Sequence, residues 1–223
     1  MRNPGYIKMN NTSETVNKIL LKLKAVTLNP AKPFRYASGI LSPVYTDCRV
    51  LIGYPEERNQ IRDLYIEAIK ESGIEFDIVA GTATAGIPHA AWIAEKLNLP
   101  MIYVRGKAKD HGKENLVEGP IEKGQKVIVI EDLVSTGESS INSVNAIRNL
   151  GGEVSHVFSI ITYGIGKGTE AFKENNLELV SLTTFEQVVE EAKNMDYITE
   201  EETKIILDWI QDPKGWAQRR GLE

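Results

Sequence analysis

The sequence predicts an α/β fold built on a central, mostly parallel sheet flanked by helices, and three observations carry that prediction. Five short β-branched runs, "FDIVAG" (76–81), "MIYVR" (101–105), "KVIVIED" (126–132), "VFSIIT" (157–162) and "LELVSL" (177–182), are nearly continuous in apolar residues, as strands covered on both faces are. Segments of helical periodicity separate them. Strand and helix alternating at this pitch imply parallel pairing through right-handed crossovers. A chain of 223 residues with 42% apolar content can bury one sizeable core, so 1–223 reads as a single domain without repeats or linkers.

Taken in order, "MRNPGYIKMNNTSETVNKILLKLKAV" alternates Leu, Ile and Val with Lys in helical fashion, which predicts an amphipathic surface helix. It holds no apolar run long enough for a signal peptide or a membrane span. "PFRYASGILSPVYTDCR" (33–49) breaks the alternation, and Gly39 and Pro43 between aromatic arms predict an irregular hairpin ahead of the sheet. Residues 12–50 thus form a helix and a small hood. "EERNQIRDLYIEAIKESG" runs to a Gly stop, "GIPHAAWIAEKLNLP" stops at Pro100, and "TGESSINSVNAIRNLGG" closes on a double glycine, giving with the strands an α/β core of about 55–183. "FEQVVEEAKNMDYITEEETKIILDWIQD" reads as two helices within about 184–223 that cover a face or an edge of the sheet.

Charge and cysteine usage exclude several function classes. A net charge of -5 and a pI near 5.4 offer no basic field for nucleic acid or an anionic membrane. Cys48 is the only cysteine, which rules out an intrachain disulfide and a four-cysteine zinc site and fits a reducing cytoplasm. The three dispersed histidines give no His-cluster metal site; His89 and His156 read as structural, and Trp92, Trp209 and Trp216 as core or interface residues.

"VIVIEDLVSTGESS" (127–140) is the least ordinary stretch. A buried strand over 126–130 runs into two adjacent acids, Glu131 and Asp132, whose repulsion needs an offset, and a helix begins near Thr136. Open α/β sheets bind ligands at this end of their strands. Val134, Ser135, Thr136, Gly137 and Glu138 form a tight turn able to cradle a phosphate with backbone N–H groups. Alternatively, Ser135 and Glu138 are a capping box worth about 1 kcal/mol. A cap does not require two acids at a strand end, whereas a ribose diol or its Mg²⁺ uses them. A Walker loop is absent from the sequence.

The same stretch resembles the phosphoribosyl pyrophosphate (PRPP) signature of the type I phosphoribosyltransferases: apolar strand, two acids, two apolar residues, then a small-residue loop. "YVRGKAKDHGKENLVEG" (103–119) resembles the mobile catalytic loop of the orotate phosphoribosyltransferase family, with Arg105, Lys107, Lys109 and His111 flanked by Gly106 and Gly112. "FRYASGILSPVYTDCR" is similar to that family's N-terminal substrate segment, and "GTATAGIPHAAWIAEKLNLP" (81–100) to its glycine-rich pyrophosphate turn.

The resemblance implies the type I phosphoribosyltransferase fold and transfer of phosphoribosyl from PRPP to orotate. It further implies PRPP contacts from Arg105, Lys107, Lys109, His111, Glu131, Asp132, Leu133, Val134, Ser135, Thr136, Gly137, Glu138 and Ser139, with Lys109, His111, Glu131 and Asp132 catalytic. Ser135, Tyr45 and Arg49 are the implied orotate contacts. Mg²⁺ is expected to arrive mainly through PRPP, with the two acids nearby. The family's dimers carry loop 105–119 into the neighbouring site, so Lys109 and His111 are expected to act in trans. The chain departs from the family at Glu131, where many members have Asp, at Ala37 and Ala85, where many have Lys, and at Gly106, where many have a second basic residue. It has "ITYGIG" where many place an arginine for the orotate carboxylate; Lys107, Arg49 and Arg35 could compensate. A transferase for another base and a non-catalytic PRPP-sensing regulator are the competing readings.

Overall fold

In a computed structural model that describes residues 12–36, 38–106, 115–164 and 166–222, the five runs become the strands of one sheet. These are β5 (Ile78–Thr82), β6 (Met101–Val104), β8 (Lys126–Val134), β9 (Glu153–Thr162) and β10 (Glu178–Thr184). β7 (Val117–Glu118) adds an edge, and the order is β10-β9-β8-β5-β6-β7. All pairings are parallel except β6 with β7. Side-chain alternation explains why the runs read as continuously apolar. Val79, Ile128, Ile130, Phe158, Ile160, Val180 and Leu182 enter one core, while Ile78, Ala80, Ile102, Val127, Val129 and Val157 enter a second on the opposite face.

Helices cover the two faces unequally. α2 (Pro55–Ser72) opens with Pro at its first position and closes on left-handed Gly73, and α3 (Gly86–Leu97) closes on left-handed Asn98 ahead of Pro100. Both contribute to the larger core, as do α1 (Thr12–Lys22), α6 (Phe185–Asn194), α7 (Glu200–Gln211) and the short α8 (Trp216–Arg219). α4 (Glu138–Asn149) and α5 (Gly166–Glu174) close the smaller one through Val144, Ile147 and Phe172. Capping boxes begin α6 at Thr184 and α7 at Thr199. The amphipathic N-terminal helix is docked by more than its apolar stripe: buried Asn17 donates to the Gln187 carbonyl at 3.1 Å and accepts from the Thr183 hydroxyl at 2.5 Å.

The hood is two small antiparallel pairs, β1 (Val26–Leu28) with β4 (Val44–Thr46) and β2 (Phe34–Arg35) with β3 (Leu41–Ser42), followed by a 3₁₀ turn over Cys48–Gly53. Tyr36 donates its hydroxyl to the Val44 carbonyl (2.7 Å), Trp209 its indole N–H to the Leu41 carbonyl (3.0 Å), and Tyr163 its hydroxyl to Thr46 Oγ1 (2.9 Å). A C-terminal helix and the end of β9 therefore fasten the hood. Three features differ from the sequence reading: β8 runs four residues past 130 and takes in both acids, α4 starts at Glu138 rather than Thr136, and α5 had no legible pattern in "GIGKGTEAFKENN".

His89 on α3 is buried with both ring nitrogens lacking a hydrogen-bond partner among the described residues. It packs edge-on against Trp92, whose ring also carries the Arg58 guanidinium at 4.7 Å. Burial lowers its pKa to about 4, so the folded protein holds it neutral while the unfolded chain protonates it near 6.5. The unfolded state then binds more protons below 6.5, and this residue's contribution to stability falls as pH drops from 6.5 to 4, by up to about 3 kcal/mol. Urea unfolding of wild type and a His89→Leu variant between pH 7.5 and 4.5 should show the variant's relative stability rising by about 2 to 3 kcal/mol at the acid end. Parallel curves would mean that the ring is not held neutral.

Candidate active site

β8 is the axis of the site. Glu131 and Asp132 lie in its last turn of ladder, where Glu131 pairs with Ser159 and Leu133 with Ile161 of β9, while on the other side β5 pairs only as far as Ile130. Glu131 is 5% exposed. Its carboxylate accepts from the Asp132 amide at 3.1 Å and from the Ser139 hydroxyl at 3.4 Å. Burial, then the charge of Asp132, pushes the Glu131 carboxyl well above the usual range. Burial also raises Asp132, against hydrogen bonds from Glu131 and from backbone N–H groups and the attraction of Arg49. Two carboxyls placed together away from water each disfavour ionisation of the other, and Glu131, the more buried, is raised the more.

The strand end is gripped from both neighbouring helices. At Gly86, the first residue of α3, a Cβ would stand 2.4 Å from the Ile130 carbonyl oxygen and 3.3 Å from Glu131 Cα, so only glycine lets α3 start against β8. From α2, Tyr65 donates its hydroxyl to the Glu131 carbonyl at 2.6 Å. The 81–86 segment between β5 and α3 includes a cis Ala83–Thr84 bond, an Ala83 amide donating to the Val104 carbonyl (2.8 Å), and a Thr82 hydroxyl that is buried and unpartnered among the described residues.

Past the acids, Leu133 and Val134 complete the strand, and the Val134 carbonyl accepts from the Tyr163 amide and the Thr162 hydroxyl. Ser135 and Thr136 then lead into Gly137, which is left-handed (φ +82) and is the N-cap of α4 without a side-chain capping bond. The capping box at Ser135 and Glu138 is therefore not formed. Among the described residues no side chain caps the first-turn N–H groups of this twelve-residue helix, an arrangement able to bind a phosphate dianion. Glu138 and Ser139 open the helix, with Ser139 turned to Glu131.

A cleft of about 610 Å³ lies between this helix and the ends of β5 and β6, lined among others by Thr82, Ala83, Arg105, Gly106, Thr136 and Glu138. Arg105 closes the stem of the cationic loop: its amide donates to the Leu116 carbonyl (2.9 Å) and its guanidinium stands 3.5 Å from Glu118. Lys107, Lys109 and His111 fall outside the described residues, as does Ala37. Arg49 is engaged by Asp47, to which its Nε and Nη2 donate at 2.7 and 3.0 Å, and this pairing lowers the Asp47 pKa and raises that of Arg49. Arg35 donates to the Gly39 carbonyl. Tyr45 is 43% exposed on β4, with Phe34 at 5.8 Å. Among the described residues no group of three or more His, Cys, Asp or Glu is arranged to hold a metal ion.

Sequence reasoning missed Tyr65, Thr82 and Tyr163. Tyr65 and Tyr163 are marked out only by hydroxyl partners distant in sequence, and Thr82 only by a buried hydroxyl with no partner among the described residues; no local signal would have found them.

Comparison with known proteins matches this geometry to a family. The model of the phosphoribosyl transferase domain matches residues 54–193. An orotate phosphoribosyltransferase of Listeria innocua is 50% identical over 199 residues, covering 89% of this chain and 95% of the relative. One of Coxiella burnetii is 48% identical over 208 residues, 93% of this chain and 99% of the relative. The crystal structure of orotate phosphoribosyltransferase from Aeropyrum pernix superposes with a TM-score of 0.72 at 32% identity, covering 82% of this chain and 99% of that one. With the acid-ended strand, the uncapped loop and matches that span nearly the whole of both chains, the protein belongs to the orotate phosphoribosyltransferase family of type I phosphoribosyl transferases.

Proposed function

We propose that this protein transfers the phosphoribosyl group of PRPP to orotate, giving orotidine 5'-monophosphate and pyrophosphate in pyrimidine nucleotide synthesis. The observation that carries the reading is the acid pair at the end of β8, with Glu131 buried and Asp132 partly buried, followed by the N-terminus of α4, which has no side-chain cap among the described residues. A 5'-phosphate held by that terminus sets the ribose beside the acids. The choice of base rests on relatives about half identical over nearly their full length.

The chemistry needs no covalent nucleophile. As the orotate ring nitrogen attacks the anomeric carbon and the pyrophosphate bond breaks, positive charge grows on the ribose and negative charge on the leaving group. Asp132 and Glu131 stabilise the first; Arg105, Lys107, Lys109 and His111 stabilise the second, all by preorganised charge. Mg²⁺ bound mainly through PRPP, with Glu131 and Asp132 nearby, would offset the negative charge of the pyrophosphate. The N–H groups of the 135–139 loop hold the 5'-phosphate, and the segment at 81–86 the pyrophosphate. Ser135, Tyr45 and Arg49 are assigned to orotate, Arg49 with its Nε and Nη2 already donating to Asp47. The enzyme acts as a homodimer whose loop 105–119 completes the partner's site. The single buried thiol of Cys48 supports a cytoplasmic setting.

Following orotate absorbance with PRPP and Mg²⁺ tests the base: loss of orotate is expected, and pyrophosphate release with hypoxanthine or uracil but not orotate would overturn the assignment. Binding of a DNA duplex in a gel-shift experiment without any turnover would favour the regulator. Exchanging Lys109→Ala subunits with Asp132→Asn subunits tests the trans loop. Each hybrid dimer carries one intact site and one doubly altered site, so about half the wild-type activity per hybrid should return from two nearly inactive parents. Verified hybrids without recovery would place the loop in its own subunit's site.

A further inference from the structure

Tyr65 is a fully buried α2 residue whose ring a phenylalanine could replace in the core, as Phe158 and Phe185 do nearby. Its hydroxyl therefore requires a reason, because a buried hydroxyl is costly unless it is bonded. The bond it makes bridges 66 residues of sequence, to the Glu131 carbonyl at 2.6 Å. It does so where β8 has run past its partner β5, so that β9 alone holds the strand laterally. The backbone of Ile160 on β9 lies close to the phenol oxygen. The hydroxyl thus sits between the rungs Glu131–Ser159 and Leu133–Ile161, beside the peptide that carries Asp132.

We propose that Tyr65 is a positioning residue for the ribose half of the reaction: its hydroxyl pins the Glu131–Asp132 peptide between β8 and β9 and so sets the direction in which Asp132 presents its carboxylate. Two further contacts fit this role. Gly86 packs from α3 against the preceding peptide, Ile130–Glu131, and the Tyr65 hydroxyl is the side-chain donor to the next carbonyl, that of Glu131, among the described residues. Burial, with the nearby charges of Asp132, Cys48 and Glu131, raises the phenol pKa, so the group remains a donor throughout the working pH range. The inference rests on the acid pair acting at the ribose and is independent of which base is accepted.

Tyr65→Phe removes the hydroxyl and keeps the ring. It should lower kcat on the order of tenfold, the usual scale for a group that orients a reacting one, with KM for the base changed less than threefold. In an Asp132→Asn background the same change should lower kcat less than twofold, because its effect runs through Asp132. Equal factors in both backgrounds, or an unchanged kcat in folded Tyr65→Phe, would overturn the proposal. If the wild type consumes no orotate, the base assignment fails instead, and the cycle is run with whichever base supports pyrophosphate release. Amide hydrogen exchange reads the pin without turnover: Tyr65→Phe should speed exchange at residues 131–134 and 160 at least tenfold while α2 and β5 stay protected. Uniform acceleration across the fold, or none at 131–134, would contradict it.

Discussion

Placing two adjacent carboxylates inside the last rungs of a buried strand is the constraint around which this fold is arranged. A carboxylate out of water is stabilised only by donors or opposite charge. Glu131 has the Asp132 amide and the Ser139 hydroxyl, while burial and the neighbouring charge of Asp132 work against its ionisation. Its neighbours are accordingly chosen to hold backbone rather than to neutralise charge: Gly86 because a Cβ cannot pass Ile130, and Tyr65 because the Glu131 carbonyl needs a donor where β5 has ended. Gly137 starts α4 in a left-handed conformation, with Phe172 of α5 so close that a Cβ would meet it at 2.6 Å. The phosphate loop and the acid pair are thus fixed by the same few elements.

The hood is fastened by the stretch that follows β9. In "ITYGIG" the residue after β9 is Tyr163, buried edge-on between Phe185 and Trp209, with its hydroxyl on Thr46 of β4. This residue ties the hood to the core. Arg49 and Asp47 follow directly after β4, so their aim depends on this tether.

Much of the architecture is legible because burial on two faces writes itself as continuous β-branched runs, and helix stops at Gly73 and Asn98 write themselves as left-handed caps. Boundaries were less legible where polar residues continue a strand: Glu131 and Asp132 read as a strand's end, yet the ladder to β9 carries both to Val134. The acid pair and the phosphate loop were readable as chemistry because residue types so unfavourable in a strand need a ligand to justify them. Tyr65 and Tyr163 were not, since a hydroxyl's partner across the fold leaves no periodic trace, and the burial of the Thr82 hydroxyl leaves none either. Helix α5, with glycines at 166 and 168 and few apolar residues, closes its core through Phe172 alone among its named core residues, which is too little for a pattern to register.

The central claim is that the acid pair is retained for chemistry at a cost to the fold. Stability and turnover of Glu131→Gln measured together test it most directly, since Gln keeps the acceptor oxygen and removes the charge. With its folded pKa above its unfolded value, Glu131 favours folding only at low pH, and that contribution is lost as pH rises through the folded pKa. At pH 8 the ligand-free variant should therefore unfold at higher denaturant than wild type, by about 1 kcal/mol or more. That gap should close as pH falls toward 4.5, the ordinary glutamate value, while turnover with orotate and PRPP drops at every pH. A variant that is less stable than wild type at pH 8, or equally stable at both pH values, would mean that the fold does not bear the charge at a cost.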